Sequence, residues 1–123
     1  MNEASLYLAS AVSAAWGLAH LFATGGVVKG FGALSDENRN ILTMEWIVEG
    51  VALIALAAFV AAATAIAPGT DAAIAVYAVA IVTYVALAIV SLFTGFRIAF
   101  LPFRMCPFVL CASAALIAVG AFA

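Results

Sequence analysis

The sequence predicts an all-α integral membrane protein in which four antiparallel helices form a transmembrane bundle. Composition is the first reason: of 123 residues, 69% are hydrophobic and 8% are charged, and the mean hydropathy is +1.31. Soluble globular proteins lie well outside these values. Spacing is the second reason, because each uncharged stretch approaches the roughly 20 residues that span a hydrocarbon core about 30 Å thick. These stretches are residues 4–28, 50–70, 72–96 and 105–123.

Residues that end helices fall between these stretches. A glycine-rich segment, residues 25–32, ends the first helix, and residues 68–71 form a tight turn that makes the second and third helices antiparallel neighbours. Ser35 or Asp36 is a suitable N-cap, so the second helix can begin before it enters lipid. Pro107 is tolerable in the first turn of the fourth helix. The chain is therefore predicted to be a single transmembrane domain, residues 1–123, with helices at about 4–28, 41–67, 72–94 and 105–122.

Charge and cysteine content exclude some functions. The net charge is −2 with only four basic residues, whereas binding to nucleic acid requires clustered Lys and Arg. Cys106 and Cys111 lie five residues apart on one predicted helix and point in different directions, so they are expected to be free thiols. No nucleic-acid partner is expected.

The basic residues predict the orientation in the cell membrane. Lys29 and Arg39 flank the first loop, Arg97 and Arg104 flank the third, and neither the second loop nor either terminus carries a basic residue. The positive-inside rule then places loops 29–41 and 95–104 in the cytoplasm. Both termini are predicted to be non-cytoplasmic.

Five ionisable residues form the candidate polar site. Groups at membrane depth cost about 2.5–3.5 kcal/mol on insertion scales, so His20, Glu45 and Glu49 are functional candidates by default. His20 and Glu49 are estimated to lie at the same depth, and Glu45 and Glu49 share one helical face. One interpretation is a structural network with Arg97 and Arg104 at the same membrane surface. The other is a proton relay from His20 through Glu49 and Glu45, or a small polar pocket for a lipophilic head group.

Three aromatic residues are candidates for lining such a pocket. Trp16 lies one turn before His20, Trp46 lies between the two glutamates, and Tyr84 can offer a hydroxyl to a ligand from the third helix. Packing is the alternative role for each of them. One His with two Glu is a poor ligand set for zinc or haem, so no metal is expected. The expected cofactor, if there is one, is a quinone or a lipid.

The connector before the fourth helix has Phe96, Phe100 and Phe103 at helical spacing, with two arginines seven residues apart. Such a segment can lie in the plane of the membrane interface. It is predicted either to anchor the chain, with aromatics at head-group level, or to form a cytoplasmic docking surface or the rim of a lipid-facing pocket.

Two segments carry a resemblance to a known family. Residues 16–20 (WGLAH) in the first helix and residues 45–50 (EWIVEG) in the second, within four spans, resemble the DoxX-like group of small bacterial membrane proteins. This resemblance implies an accessory subunit beside redox or quinone-linked partners. The small multidrug transporters share the size and the number of spans, but their first-helix carboxylate is replaced here by His20.

Three functions follow from these features. The first is a non-catalytic accessory or lipid- or quinone-binding subunit of a larger membrane complex, with membrane lipids, other subunits or a second copy of the chain as partners. The second is an enzyme that uses His20 and Glu49 for proton transfer on a lipophilic substrate. The third is a small dimeric proton-coupled transporter. Such a transporter needs a carboxylate that is open to both sides of the membrane, whereas Glu45 and Glu49 both lie near one face, which counts against this function.

Overall fold

The structure, a computed structural model, describes all residues, 1–123. It contains no strand, and its four helices are all long and apolar enough to cross a membrane. The predicted all-α architecture with four helices is therefore confirmed. The helices are α1 (Glu3–Gly30), α2 (Asp36–Ile66), α3 (Asp71–Phe93) and α4 (Leu101–Phe122), and a 3-10 turn, Gly95–Arg97, lies between α3 and α4.

Side-chain caps fix where α2 and α3 begin. The backbone N–H of Asn38 donates to the Oγ of Ser35 at 3.2 Å, so Ser35 is the N-cap of α2. Helix α2 therefore begins five residues before position 41, because its polar first turn is helical outside the apolar stretch. Thr70 caps α3 in the same way, at 3.3 Å from the N–H of Ala73. In the turn between α2 and α3, Gly69 has a φ of 76°, a left-handed conformation that glycine adopts readily.

Helix α4 differs from its predicted boundary. It begins at Leu101 rather than near residue 105, with a proline in its first turn, where the missing N–H costs nothing. Pro107 consequently lies inside the helix and not in its first turn. Since proline has no N–H, the carbonyl of Phe103 has no donor four residues later.

The connector, residues 94–100, is not one continuous helix. After the 3-10 turn, Ile98 (ψ 137°) and Phe100 (ψ 120°) have extended backbones. The helical spacing of Phe96, Phe100 and Phe103 therefore does not place them on one face. Phe96 packs edge-on to Phe108 at 6.2 Å, while Phe103 points to α2.

Each helix packs on two neighbours: α1 on α2 and α4, and α3 on α2 and α4. The closest approach is between Gly17 of α1 and Gly50 of α2. A Cβ added to Gly17 would lie 2.7 Å from the carbonyl oxygen of Gly50, and one added to Gly50 would lie 2.8 Å from the carbonyl oxygen of Gly17. The two backbones touch, as small residues allow in membrane bundles. Because His20 lies one turn after Gly17 and Glu49 directly precedes Gly50, this crossing brings them together.

Buried hydroxyls connect the middle of the bundle. The Tyr84 hydroxyl reaches across the bundle from α3 and donates to the Oγ of Ser13 on α1 at 2.5 Å. Ser13 in turn donates to the carbonyl of Leu53 on α2 at 3.2 Å. The hydroxyls of Tyr77 and Thr64 lie 3.0 Å apart between α2 and α3. Tyr84 is 1% exposed, so it belongs to the core and does not line the cavity described below.

Hydrogen bonds tie α1 to α4 at the end of the bundle that holds both termini. The N–H of Asn2 donates to the carbonyl of Gly120 at 2.7 Å. The Oγ of Ser5 donates to the carbonyl of Leu116 at 2.8 Å. The opposite end of the bundle, which holds the candidate site, has no such tie between these two helices.

Candidate functional site

His20 and Glu49 lie in contact, with 3.4 Å between Nε2 of His20 and Oε1 of Glu49. His20 is 8% exposed, and its Nδ1 lies 3.0 Å from the carbonyl oxygen of Trp16. A carbonyl oxygen only accepts, so Nδ1 carries a proton and donates it to this bond. With Nδ1 in that bond, Nε2 faces the Glu49 carboxyl and is the ring nitrogen that can gain or lose a proton. The pair can therefore exchange a proton with a group placed beside it.

Aromatic side chains surround the imidazole. Trp46 stacks on His20 with 5.0 Å between ring centroids and 25° between planes, and Trp16 meets it edge-on at 5.9 Å. Phe103 of α4 meets Trp46 edge-on at 5.4 Å. Helices α2 and α4 lie diagonally across the bundle, so this contact fills its centre at the level of the polar pair. Edge-to-face and offset-stacked arrangements are the favourable ones for aromatic pairs.

A cavity of about 480 Å³ opens beside the pair, within the size range of small-molecule sites in proteins. All four helices and the connector contribute to it. Its walls are mostly apolar, and they include His20, Glu49 and both tryptophans of the chain. The lining residues are Trp16, Ala19, His20, Ala23, Val27, Trp46, Glu49, Val90, Ser91, Thr94, Gly95, Ile98, Phe100, Pro102, Phe103, Met105 and Cys106.

Glu45, Arg97 and Arg104 do not join this site. Glu45 and Glu49 are both exposed, but only Glu49 lines the cavity. The contact between His20 and Glu49 is the only ion pair of the structure within 4.0 Å, so the expected network of glutamates and arginines does not form. Arg104 instead donates from Nε to the carbonyl of its own connector, while Arg97 makes no side-chain hydrogen bond. The reason is position: the connector joins α3 to α4, and α4 lies diagonally opposite α2.

Sequence reasoning missed several wall residues. Ser91 donates to the Sγ of Cys106 at 3.5 Å, and both line the cavity. Neither has a pattern in the sequence that indicates a site, because they meet only when α3 packs on α4. Both cysteines are free, as predicted; Cys106 is buried and Cys111 is exposed.

The indole nitrogen of Trp16 is the one buried side-chain polar atom without a hydrogen-bond partner. Indole Nε1–H is a donor only, and a buried donor without an acceptor costs about 1–3 kcal/mol. Trp16 forms part of the cavity wall. The N–H itself is buried and does not face the open cavity.

Comparisons of the chain with protein-family models, with curated proteins and with solved structures give no match. The resemblance to the DoxX-like group therefore stays a prediction. The candidate site stands on its own geometry: one polar pair, two tryptophans and a cavity of defined size.

Proposed function

We propose that this chain is a small membrane protein that binds an amphiphile of the quinone class in the cavity beside His20 and Glu49. The observation that carries the proposal is a mostly apolar cavity of about 480 Å³ whose wall contains the contact between His20 and Glu49. Small-molecule sites have this character: apolar walls with a few polar groups that fix orientation.

The chemistry of the walls favours a flat ring with acceptor oxygens over a simple acyl chain. Trp46 and Phe103 offer aromatic surfaces on which a quinone ring can stack. Nε2 of His20, beside the carboxyl of Glu49, offers a donor for a carbonyl oxygen. A lipid tail would use neither feature.

We also propose an orientation of the chain in the cell membrane. We infer from the positive-inside rule that the chain crosses the cell membrane four times, with loops 29–41 and 95–104 in the cytoplasm and both termini outside it. The cavity then lies in the cytoplasmic half of the membrane. The resemblance to the DoxX-like group supports an accessory role beside a redox-linked membrane partner.

Tryptophan fluorescence tests the binding proposal, because the chain has two tryptophans and both line the cavity. Purified protein in lipid nanodiscs is titrated with 2,3-dimethoxy-5-methyl-1,4-benzoquinone carrying a decyl chain, which quenches excited indoles. We expect saturable quenching at a stoichiometry of one ligand per site. Quenching that rises linearly, without saturation, would mean collision from the bilayer and would overturn the proposal.

Two matched variants locate the binding. Glu49→Gln removes the carboxyl that contacts His20, and hydrogen bonds to charged groups contribute about 1.5–3 kcal/mol. Its dissociation constant for the quinone is expected to rise at least about tenfold, which corresponds to about 1.4 kcal/mol. Glu45→Gln makes the same chemical change one turn away, outside the cavity, and is expected to bind as the wild type does. Equal effects of the two variants would exclude the pair as the polar contact.

A second candidate function is proton transfer on a lipophilic substrate, favoured by the contact between His20 and Glu49. It differs from binding in one result: the ligand recovered from the protein would be chemically altered. Mass spectrometry of the recovered ligand distinguishes the two functions. An altered ligand with the wild type and an unaltered ligand with His20→Ala would establish the enzyme.

A further inference from the structure

A second cavity, of about 520 Å³, adjoins the first. It lies between the end of α1 and the connector, and no polar side chain lines it. The two cavities share five wall residues, namely Ala23, Val27, Ile98, Phe100 and Phe103. An apolar groove therefore runs from the polar pair towards the end of α1.

One face of α1 forms the floor of this groove. Ala23, Gly26, Val27 and Gly30 follow the spacing i, i+3, i+4, i+7, which places them on one side of a helix. A Cβ added to Gly26 or Gly30 would meet no atom within 4 Å. These glycines differ from Gly17, where the missing side chain allows α2 to pack directly against the backbone of α1. At Gly26 and Gly30 the missing side chains leave an open gap beside α1.

The opposite wall of the groove is formed by Ile98, Phe100 and Phe103, from the connector and the start of α4. No hydrogen bond joins these residues to α1. Helices α1 and α4 are tied together by Asn2 and Ser5 at the other end of the bundle. The bundle is thus closed at the terminal end and open between α1 and the connector.

We propose that this gap is the lateral entrance through which the quinone-class amphiphile passes from the bilayer to the cavity. This inference rests on the proposed function. The groove lies at the end of α1, where the chain leaves the membrane and where the head of an amphiphile resides. A head that enters here reaches His20 along apolar walls without crossing the packed core. Gly26 lines the groove but not the cavity. A side chain added at this position therefore narrows the entrance without entering the binding site.

The test compares Gly26→Leu with Gly25→Leu. Both glycines lie in α1 with no atom within 4 Å of an added Cβ, so neither substitution forces the backbone to move at its first side-chain atom, and both gain helix propensity. Only Gly26 lines the groove. Stopped-flow quenching of tryptophan fluorescence in nanodiscs, with the decyl benzoquinone as probe, gives the association and dissociation rates.

We expect Gly26→Leu to slow association and dissociation by the same factor, at least about tenfold, with no change in the dissociation constant. Gly25→Leu is expected to match the wild type. Phe31→Ala, which widens the groove at a residue that does not line the cavity, is expected to accelerate both rates.

Three results would overturn the entrance. The first is a Gly26→Leu variant with wild-type rates. The second is one that weakens equilibrium binding while association is unchanged, which would make Gly26 part of the binding site. The third is equal slowing by Gly25→Leu. Absence of saturable quenching in the wild type is a separate outcome, which refutes the proposed function and the entrance with it.

Discussion

His20 and Tyr84 are both polar side chains on apolar helices, yet their surroundings differ. His20 faces a cavity and contacts a carboxylate, whereas Tyr84 is enclosed and donates to Ser13. Spacing along a helix indicates the face on which a residue lies. It does not indicate how closely the neighbouring helices pack against that face. The sequence could therefore nominate both residues and could not separate a wall residue from a core residue.

The role of Tyr84 predicts a change in stability without a change in binding. Tyr84→Phe removes one buried hydrogen bond, worth about 0.5–1.5 kcal/mol and on average about 0.6 kcal/mol within membranes. We expect the free energy of unfolding, measured by detergent titration, to fall by about this amount. Tyr7→Phe is the control, because Tyr7 is 42% exposed and makes no side-chain hydrogen bond. A loss of quinone affinity in Tyr84→Phe would mean that Tyr84 contacts the ligand.

The pairing of α1 with α2 makes the site, and part of that pairing was accessible from the sequence. Uncharged stretches predict helices because charge is excluded from lipid. The estimated equal depth of His20 and Glu49 agrees with their 3.4 Å contact. The helix register that brings His20 and Glu49 into contact depends on the close crossing of α1 and α2 at Gly17 and Gly50.

The connector is the element that sequence spacing describes least well. Its phenylalanines have helical spacing, but extended residues interrupt the helix. Phe103 enters the site only through its contact with Trp46, 57 positions earlier in the chain. A contact between distant residues of this kind leaves no periodic signal in one sequence, so the packing of Phe103 against Trp46 could not be predicted.

The close packing of α1 on α2 also predicts that a side chain added at Gly17 lowers stability and binding. In Gly17→Ala the new Cβ would lie 2.7 Å from the Gly50 carbonyl oxygen, so α1 and α2 must separate. Overpacking of this kind costs about 1–3 kcal/mol. We expect the variant to lose stability in detergent titration and to bind the quinone more weakly, because His20 moves away from Glu49.

Gly25→Ala is the matched control for this effect. Its Cβ meets nothing within 4 Å, and replacing a helical glycine by alanine gains up to about 1 kcal/mol. It is expected to be as stable as the wild type or more so. Equal stability of the two variants would show that the backbones of α1 and α2 are not in contact at Gly17.

At the scale of the whole molecule, the two ends of the bundle differ. Hydrogen bonds from Asn2 and Ser5 to α4 close the end that holds both termini. The other end carries all four basic residues, the polar pair and both cavities. Helices α1 and α4 are therefore hydrogen-bonded to each other at one end of the bundle, and a groove lies beside α1 at the other.

The distribution of basic residues predicts the orientation. Fusions of alkaline phosphatase, which is active only outside the cytoplasm, are made to the N-terminus and to the C-terminus. Both are expected to be active, and a fusion inserted in the loop at residues 31–35 is expected to be inactive, because Lys29 and Arg39 hold that loop inside. The reverse pattern would place the cavity in the non-cytoplasmic half of the membrane.

The central claim is that a quinone-class head occupies the cavity beside His20 and Glu49. Photolabelling tests it most directly: a benzoquinone that carries a diazirine on its ring is irradiated with the protein in nanodiscs, and the labelled residues are mapped by mass spectrometry. The account predicts labels within residues 16–27, 46–49 and 98–106, lost when excess unlabelled quinone is added. Labels concentrated on outward-facing residues such as Phe22 and Phe59, which are 87% and 65% exposed, and unaffected by that excess, would contradict it.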